Sequence, residues 1–157
     1  LVIECINKFD NLQFHFYGDG SAGEILRDFS NKLNTNNIFF HGLFNKNELE
    51  KIYSEIDLLW ACYPPSNYNV KYATSNKALE SLHFNTPCVF SSGTLLAKDY
   101  KSKNLGFSIN PNNKSEINYF FENLNHEKLD TVSKNIFDVD TPNMNSYRKS
   151  LKDFLKL

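Results

Sequence analysis

The chain has 157 residues, 41% hydrophobic, 15% aromatic and 22% charged, with 17 basic against 18 acidic side chains. That length favours a single domain large enough to bury a core. The near-zero net charge excludes the basic excess with which nucleic-acid binders neutralise phosphates. The longest unbroken apolar run, Leu58 to Tyr63, falls far short of the roughly 18 residues a membrane-spanning helix needs.

The first residue is Leu1 rather than Met, and Glu4, Lys8 and Asp10 interrupt the opening stretch, so no secretory signal is readable and the chain reads as cut from something longer. Leu12 to Tyr17 is strand-like and ends in Gly18-Asp19-Gly20. Ala22 to Leu33 follows a helical period, with Ile25, Leu26, Phe29 and Leu33 on one face. Ile38 to Phe40 is a short strand closed by His41-Gly42, and Asn45 with Glu48 three positions on gives a capping-box signature for a helix to about Glu55. Leu49, Ile52, Tyr53 and Ile56 form its buried stripe. Asp57 to Cys62 is a third strand, followed by a long loop with Pro64 and Pro65. Ser75 opens a helix to about Phe84, Pro87 to Ser91 is a fourth strand, Leu95 to Lys101 a short helix, and Gly106 to Ile109 a fifth strand. Ser115 caps a helix to about Asn125, and one more helix starts at Glu127. We place a linker at 131–145 and a closing amphipathic helix at 146–157 that buries Tyr147, Leu151, Phe154 and Leu155.

Short strands alternating with helices predict an α/β chain: a Rossmann-like parallel sheet with helices on both faces. Ligands of such sheets sit at the carboxyl ends of the strands, which directs attention to the loops after Tyr17, Phe40, Cys62 and Ser91. Cys5, Cys62 and Cys88 are an odd, scattered set with apolar neighbours, which reads as reduced core thiols in a cytoplasmic protein. Asparagine is abundant, 22 residues, and nothing functional follows from it.

Gly18-Asp19-Gly20-Ser21-Ala22-Gly23 is formally a G-x-G-x-x-G turn between strand and helix, whose backbone can approach a phosphate closely. The dinucleotide version also wants a carboxylate after the next strand, where this chain has Phe40-His41-Gly42; the plain reading is an ordinary glycine-rich turn. Ser75-Asn76-Lys77-Ala78-Leu79-Glu80 is more informative. An N-cap at Ser75 or Asn76 leaves amides aimed at the strand ends, Lys77 adds a full charge, and Glu80 projects one turn later on the same face. A diphosphate on the helix tip and a ribose diol on the Glu80 carboxylate fit that spacing, as does a capped helix with a surface Lys-Glu pair.

The order of these pieces, with Asn37 to Gly42, Leu49 to Tyr53, Ile56-Asp57-Leu58, the proline-containing loop, Asn76-Lys77 with Glu80, and Thr86 to Val89, resembles the C-terminal half of "group 1" (family 4-like) GT-B glycosyltransferases over about Leu12 to Asn125. The resemblance implies a domain that holds a nucleotide diphosphate sugar, a separate N-terminal domain for the acceptor, and transfer with retention of configuration. It implies Gly18 and Gly20 near the phosphates or sugar, Phe40, His41 and Gly42 flanking the base, Ser75, Asn76 and Lys77 at the diphosphate with Lys77 in the catalytic role, and Glu80 on the ribose. No cofactor and no metal are expected, the activated sugar being substrate. Two departures stand out: Tyr72 occupies the place of a further glutamate that contacts the donor sugar, and the family's first strand, with the basic pair that follows it, precedes Leu1. The sheet is therefore expected to lack its first strand and to show a gap or rearranged pairing between the strands ending at Tyr17 and Cys62.

Asp138-Val139-Asp140 is a D-x-D triplet away from any strand end and is set aside as a metal site. Of His15, His41, His83 and His126 only His41 lies at a ligand-bearing loop; His15 reads as core and the others as structural or surface. Arg148, Lys152 and Lys156 line one face of the closing helix, a solvated face or a peripheral contact with anionic lipid on the inner side of a membrane. The leading expectation is the donor-binding domain of a cytoplasmic bacterial transferase of polysaccharide biosynthesis, inactive by itself. The alternatives are a non-catalytic GT-B-like assembly module and a nicotinamide-dinucleotide-binding domain.

Overall fold

The computed structural model describes residues 1–66 and 68–139. In chain order the elements are α1 (Val2–Ile6), β1 (Phe14–Tyr17), α2 (Gly23–Lys32), β2 (Ile38–Gly42), a 3-10 turn (Lys46–Glu48) running into α3 (Leu49–Ser54), β3 (Leu59–Ala61), α4 (Tyr68–Tyr72), α5 (Asn76–His83), β4 (Cys88–Ser91), α6 (Leu95–Ser102), β5 (Phe107–Ile109), α7 (Lys114–Glu122) and α8 (His126–Phe137). All pairings are parallel: β1 with β2, and separately β3 with β4 and β4 with β5.

The alternation of strand and helix thus gives the expected α/β architecture, and the sheet is interrupted between β1 and β3, where the sequence led us to expect a gap. Side chains bridge the interruption: the Phe14 and Trp60 rings meet edge to face with centroids 6.1 Å apart.

β4 lies at the centre of the molecule, buried along its whole length, and its period-2 pleat feeds two cores. Cys88 and Phe90 point to one face, packed with Ala61, Ala78, Ala97, Tyr100, Val132 and Ile136 from β3, α5, α6 and α8. Val89 points to the other, with Cys5, Ile6, Ile109, Ile117 and Phe121 from α1, β5 and α7. Helices therefore cover both faces. Before β5, Gly106 is required by close approach, since a Cβ there would lie 2.7 Å from the Cys88 carbonyl oxygen.

Several boundaries differ from the sequence reading, each for a local reason. The segment after Pro65, expected as loop, forms α4, a single turn with the Tyr68 and Tyr72 rings 4.6 Å apart. The cap of α7 is Asn113 rather than Ser115, because the Asn113 side chain accepts from the amides of Ser115 and Glu116. In α2, Ile25 leaves the apolar face and is 71% exposed, while Ser30 is buried. The proposed linker at 131–145 begins inside α8, whose Val132 and Ile136 belong to the core, so the domain extends at least to Phe137. Asp140 of the D-x-D triplet and the closing helix at 146–157, with its basic stripe, lie outside the described residues. Asparagine has a structural use: Asn34, Asn85 and Asn104 adopt left-handed φ just after α2, α5 and α6, a conformation that asparagine tolerates better than other side chains except glycine.

Candidate functional site

The carboxyl ends of β1, β2, β3 and β4 carry the expected groups, and the structure gathers them into two clusters. The first is the turn after β1 together with the end of β2. Gly18 takes a φ of +121° and Gly42 one of +74°, both in the region that glycine alone enters freely, and the Gly18 amide donates to the Gly42 carbonyl at 2.7 Å. The expected phosphate turn and the expected base-flanking segment are thereby held side by side. Gly20 accepts from the Gly23 amide at 2.8 Å, closing the turn into α2, and Gly20 itself is exposed.

Around this turn the outward-facing side chains of the two strands form a row of rings. His41 lies nearly parallel to Tyr17, with centroids 4.3 Å apart, and its Nε2 is 2.9 Å from Nδ1 of His15. His15, expected in the core, is instead half-buried and paired on this outer face. Burial first, then the positive charge His41 can carry, hold its imidazole below the ordinary histidine range. Phe40 turns the other way, stacked on Phe16 at 4.9 Å with the Arg27 guanidinium 5.1 Å over its ring, so it braces the sheet rather than joining the row beside His41.

The second cluster is the tip and first turn of α5. Ser75 caps the helix, its hydroxyl accepting from the Lys77 amide at 3.2 Å. Lys77 donates to Glu80 Oε2 at 2.7 Å, as the three-residue spacing predicts, and the two side chains are 32% and 23% exposed. Asn76 is exposed beside them. The back of the helix is fixed: Ala78 and Ser81 are fully buried, Tyr100 donates to the Ala78 carbonyl at 2.9 Å, and Ser81 donates to the Thr86 carbonyl at 2.7 Å. Beside Ser75, at the ends of β3 and β4, lies a cavity of about 320 Å³ bordered by Tyr63, Ser75, Ser91 and Thr94. A larger open hollow of about 720 Å³ lies between α6 and α8, near Tyr100, Lys103, Asn135 and Asp138. It is away from the strand ends, where parallel α/β sheets take their ligands.

One residue at this cluster escaped the sequence reading as a functional group. Tyr53, assigned to the buried stripe of α3, is indeed 5% exposed, but its hydroxyl donates to Glu80 Oε2 at 2.5 Å. A tyrosine on a buried stripe was the available signal, because its hydroxyl must find a partner there. Burial, and next the hydrogen bond to Glu80, hold the Tyr53 phenol far above its ordinary range, so it stays neutral and donating.

The three cysteines are free thiols. Cys5 and Cys88 are fully buried, and burial pushes Cys62 up to about 12 and Cys88 well above the ordinary thiol value. Among the described residues no group of three or more His, Cys, Asp or Glu could hold a metal ion, and no helix is long and apolar enough to cross a membrane. Tyr72 sits half-exposed on α4 with the Lys71 ammonium 5.5 Å over its ring.

No family model matches the chain, and no curated protein matches it. Solved structures do. WaaG, a glycosyltransferase involved in lipopolysaccharide biosynthesis, superposes with a TM-score of 0.69 at 17% identity, over 97% of this chain and 41% of that one. TarM gives 0.68 at 18%, over 96% of this chain and 30% of its own, and a glycosyltransferase from Rickettsia africae ESF-5 gives 0.68 at 16%, over 99% and 44%. The chain spans less than half the length of each of these proteins. It has the fold of the Rossmann-like half of GT-B glycosyltransferases.

Proposed function

We propose that this chain is the donor-binding domain of a sugar transferase, which moves a sugar from a nucleotide diphosphate sugar to a glycan or lipid-linked acceptor. The observation that carries the reading is the α5 tip, where a Ser75 cap, a lysine and a carboxylate converge at the carboxyl end of a parallel sheet. The amides of the first turn and Lys77 are suited to the diphosphate, and a carboxylate one turn further is suited to a ribose diol. Gly18 and Gly20 present backbone to the phosphates or the sugar, and His41 and Gly42 lie beside the base.

In the transfer, negative charge develops on the departing diphosphate. Lys77 and the α5 amides are the groups of this chain placed to stabilise it, which gives Lys77 the catalytic role and requires no cofactor. The acceptor is held by a second domain of the whole protein, and surface polysaccharide is the product class that fits the parent enzyme. Work on the inner face of a membrane, with the basic stripe of Arg148, Lys152 and Lys156 against anionic lipid, belongs to the same proposal.

Calorimetric titration of the chain with UDP, GDP and ADP tests the reading. One of them should bind, weakly, and Glu80→Ala should reduce its affinity about tenfold or more, the usual worth of a hydrogen bond to a charged group. Equal affinity in the variant removes Glu80 from the site. A nicotinamide-binding domain would instead respond to NADH, but the end of β2 offers Phe40, His41 and Gly42 and no carboxylate for the ribose.

A further inference from the structure

Resting on the nucleotide reading above, we infer that Tyr53 is the positioning residue for ribose recognition, keeping Glu80 aimed at the diol after Lys77 has moved to the diphosphate. Two donors share one oxygen of Glu80: the Tyr53 hydroxyl at 2.5 Å and the Lys77 ammonium at 2.7 Å, both on Oε2. They differ in what a ligand does to them. Lys77 is half-exposed on a flexible stem in the first turn of α5, and an arriving diphosphate carries more charge than a single carboxylate, so it draws the ammonium away.

Tyr53 cannot follow. Its ring is buried on α3, nearly parallel to Phe84 with centroids 4.5 Å apart, and its short bond to a carboxylate is of the strong, charge-assisted kind. With Oε2 anchored by a rigid group, the partly exposed carboxylate keeps Oε1 for the ligand. A carboxylate held only by Lys77 would lose its orientation as soon as the lysine left. Ribose selection is therefore built by α3 as much as by α5, and the bond joining them spans 27 residues of sequence.

The test compares Kd values for inorganic pyrophosphate, for the best-binding nucleoside diphosphate of the UDP, GDP and ADP panel, and for its 2′-deoxy counterpart. The wild-type chain should prefer the ribonucleotide at least about tenfold. Tyr53→Phe keeps the ring on Phe84; it should cut that preference to about threefold or less while changing pyrophosphate affinity less than twofold. A purely structural role would weaken all three ligands together. Lys77→Ala supplies the second arm, independent of how well Tyr53→Phe folds: pyrophosphate affinity should fall about tenfold with the ribose preference intact.

An unchanged ribose preference in folded Tyr53→Phe, or its loss in Lys77→Ala, overturns the inference while leaving the donor site standing. A wild-type chain that binds no nucleotide, or shows no ribose preference, removes the role of Glu80 itself and this inference with it.

Discussion

The two halves of the interrupted sheet are built differently. β4, flanked by β3 and β5, is buried at every residue and sandwiched between α5 and α6 on one side and α1 and α7 on the other. No residue of β1 is fully buried, and the outer face of β1 and β2 carries polar rings at His15, Tyr17 and His41. Each half presents one of the two candidate clusters. The α5 cluster stands on a close-packed platform, whereas the Gly18 and Gly42 cluster stands on a two-stranded ladder that a strand pair alone would barely stabilise. On the proposed function, the rigid half supplies the α5 tip for the diphosphate and Glu80 for the ribose, while the softer half supplies Gly18 and Gly20 near the phosphates or sugar and the end of β2 beside the base.

That contrast can be broken most strongly by paired core truncations. Phe90→Ala, at a residue 1% exposed in β4, should cost about 3–5 kcal/mol, and Phe16→Ala, at a half-buried residue in β1, no more than about half of that, both read from urea unfolding. Similar costs at the two sites would mean the halves are equally packed. A smaller effect is expected at the α5 cap: Ser75→Ala should lower stability by about 1 kcal/mol and weaken pyrophosphate binding, because the hydroxyl that organises the first-turn amides is gone.

The smallest effect sharpens the softer half. His15 is held below its ordinary range in the folded state by burial and by His41, with the Glu55 carboxylate opposing weakly. The unfolded chain therefore binds the extra proton first, and stability contributed by the neutral ring is intact above about pH 6.5 and lost as pH falls below it. His15→Gln should flatten the slope of stability between pH 7 and 5.5; a slope unchanged by the substitution would show that this pair does not couple to folding.

Much of this was readable from residue order. The helical and strand periods place every strand to within two or three residues, and the capping signals at Asn45 and Ser75 mark helices that begin where expected; the Glu48 carboxylate accepts from the Asn45 amide at 2.6 Å. The Lys77 and Glu80 pairing follows from helix geometry alone. What could not be read depends on contacts remote in sequence. Tyr53 meets Glu80, and Gly18 meets Gly42, only once the helices and strands are packed. His15 and Ile25 fit their periodic patterns, but what covers each face decides burial, and neither face is covered there as the pattern assumes. α4 escaped because five residues after two prolines carry too little periodicity to register as helix.

On the proposed function, ligand binds at the α5 tip and not in the larger hollow between α6 and α8. Amide chemical-shift mapping during titration with the best-binding nucleoside diphosphate tests it directly. The largest shifts should fall at the amides of Asn76, Lys77 and Ala78, with smaller ones at Gly18 and Gly42. Shifts concentrated at Leu105, Asn135 and Asp138, with those of α5 unmoved, would contradict it.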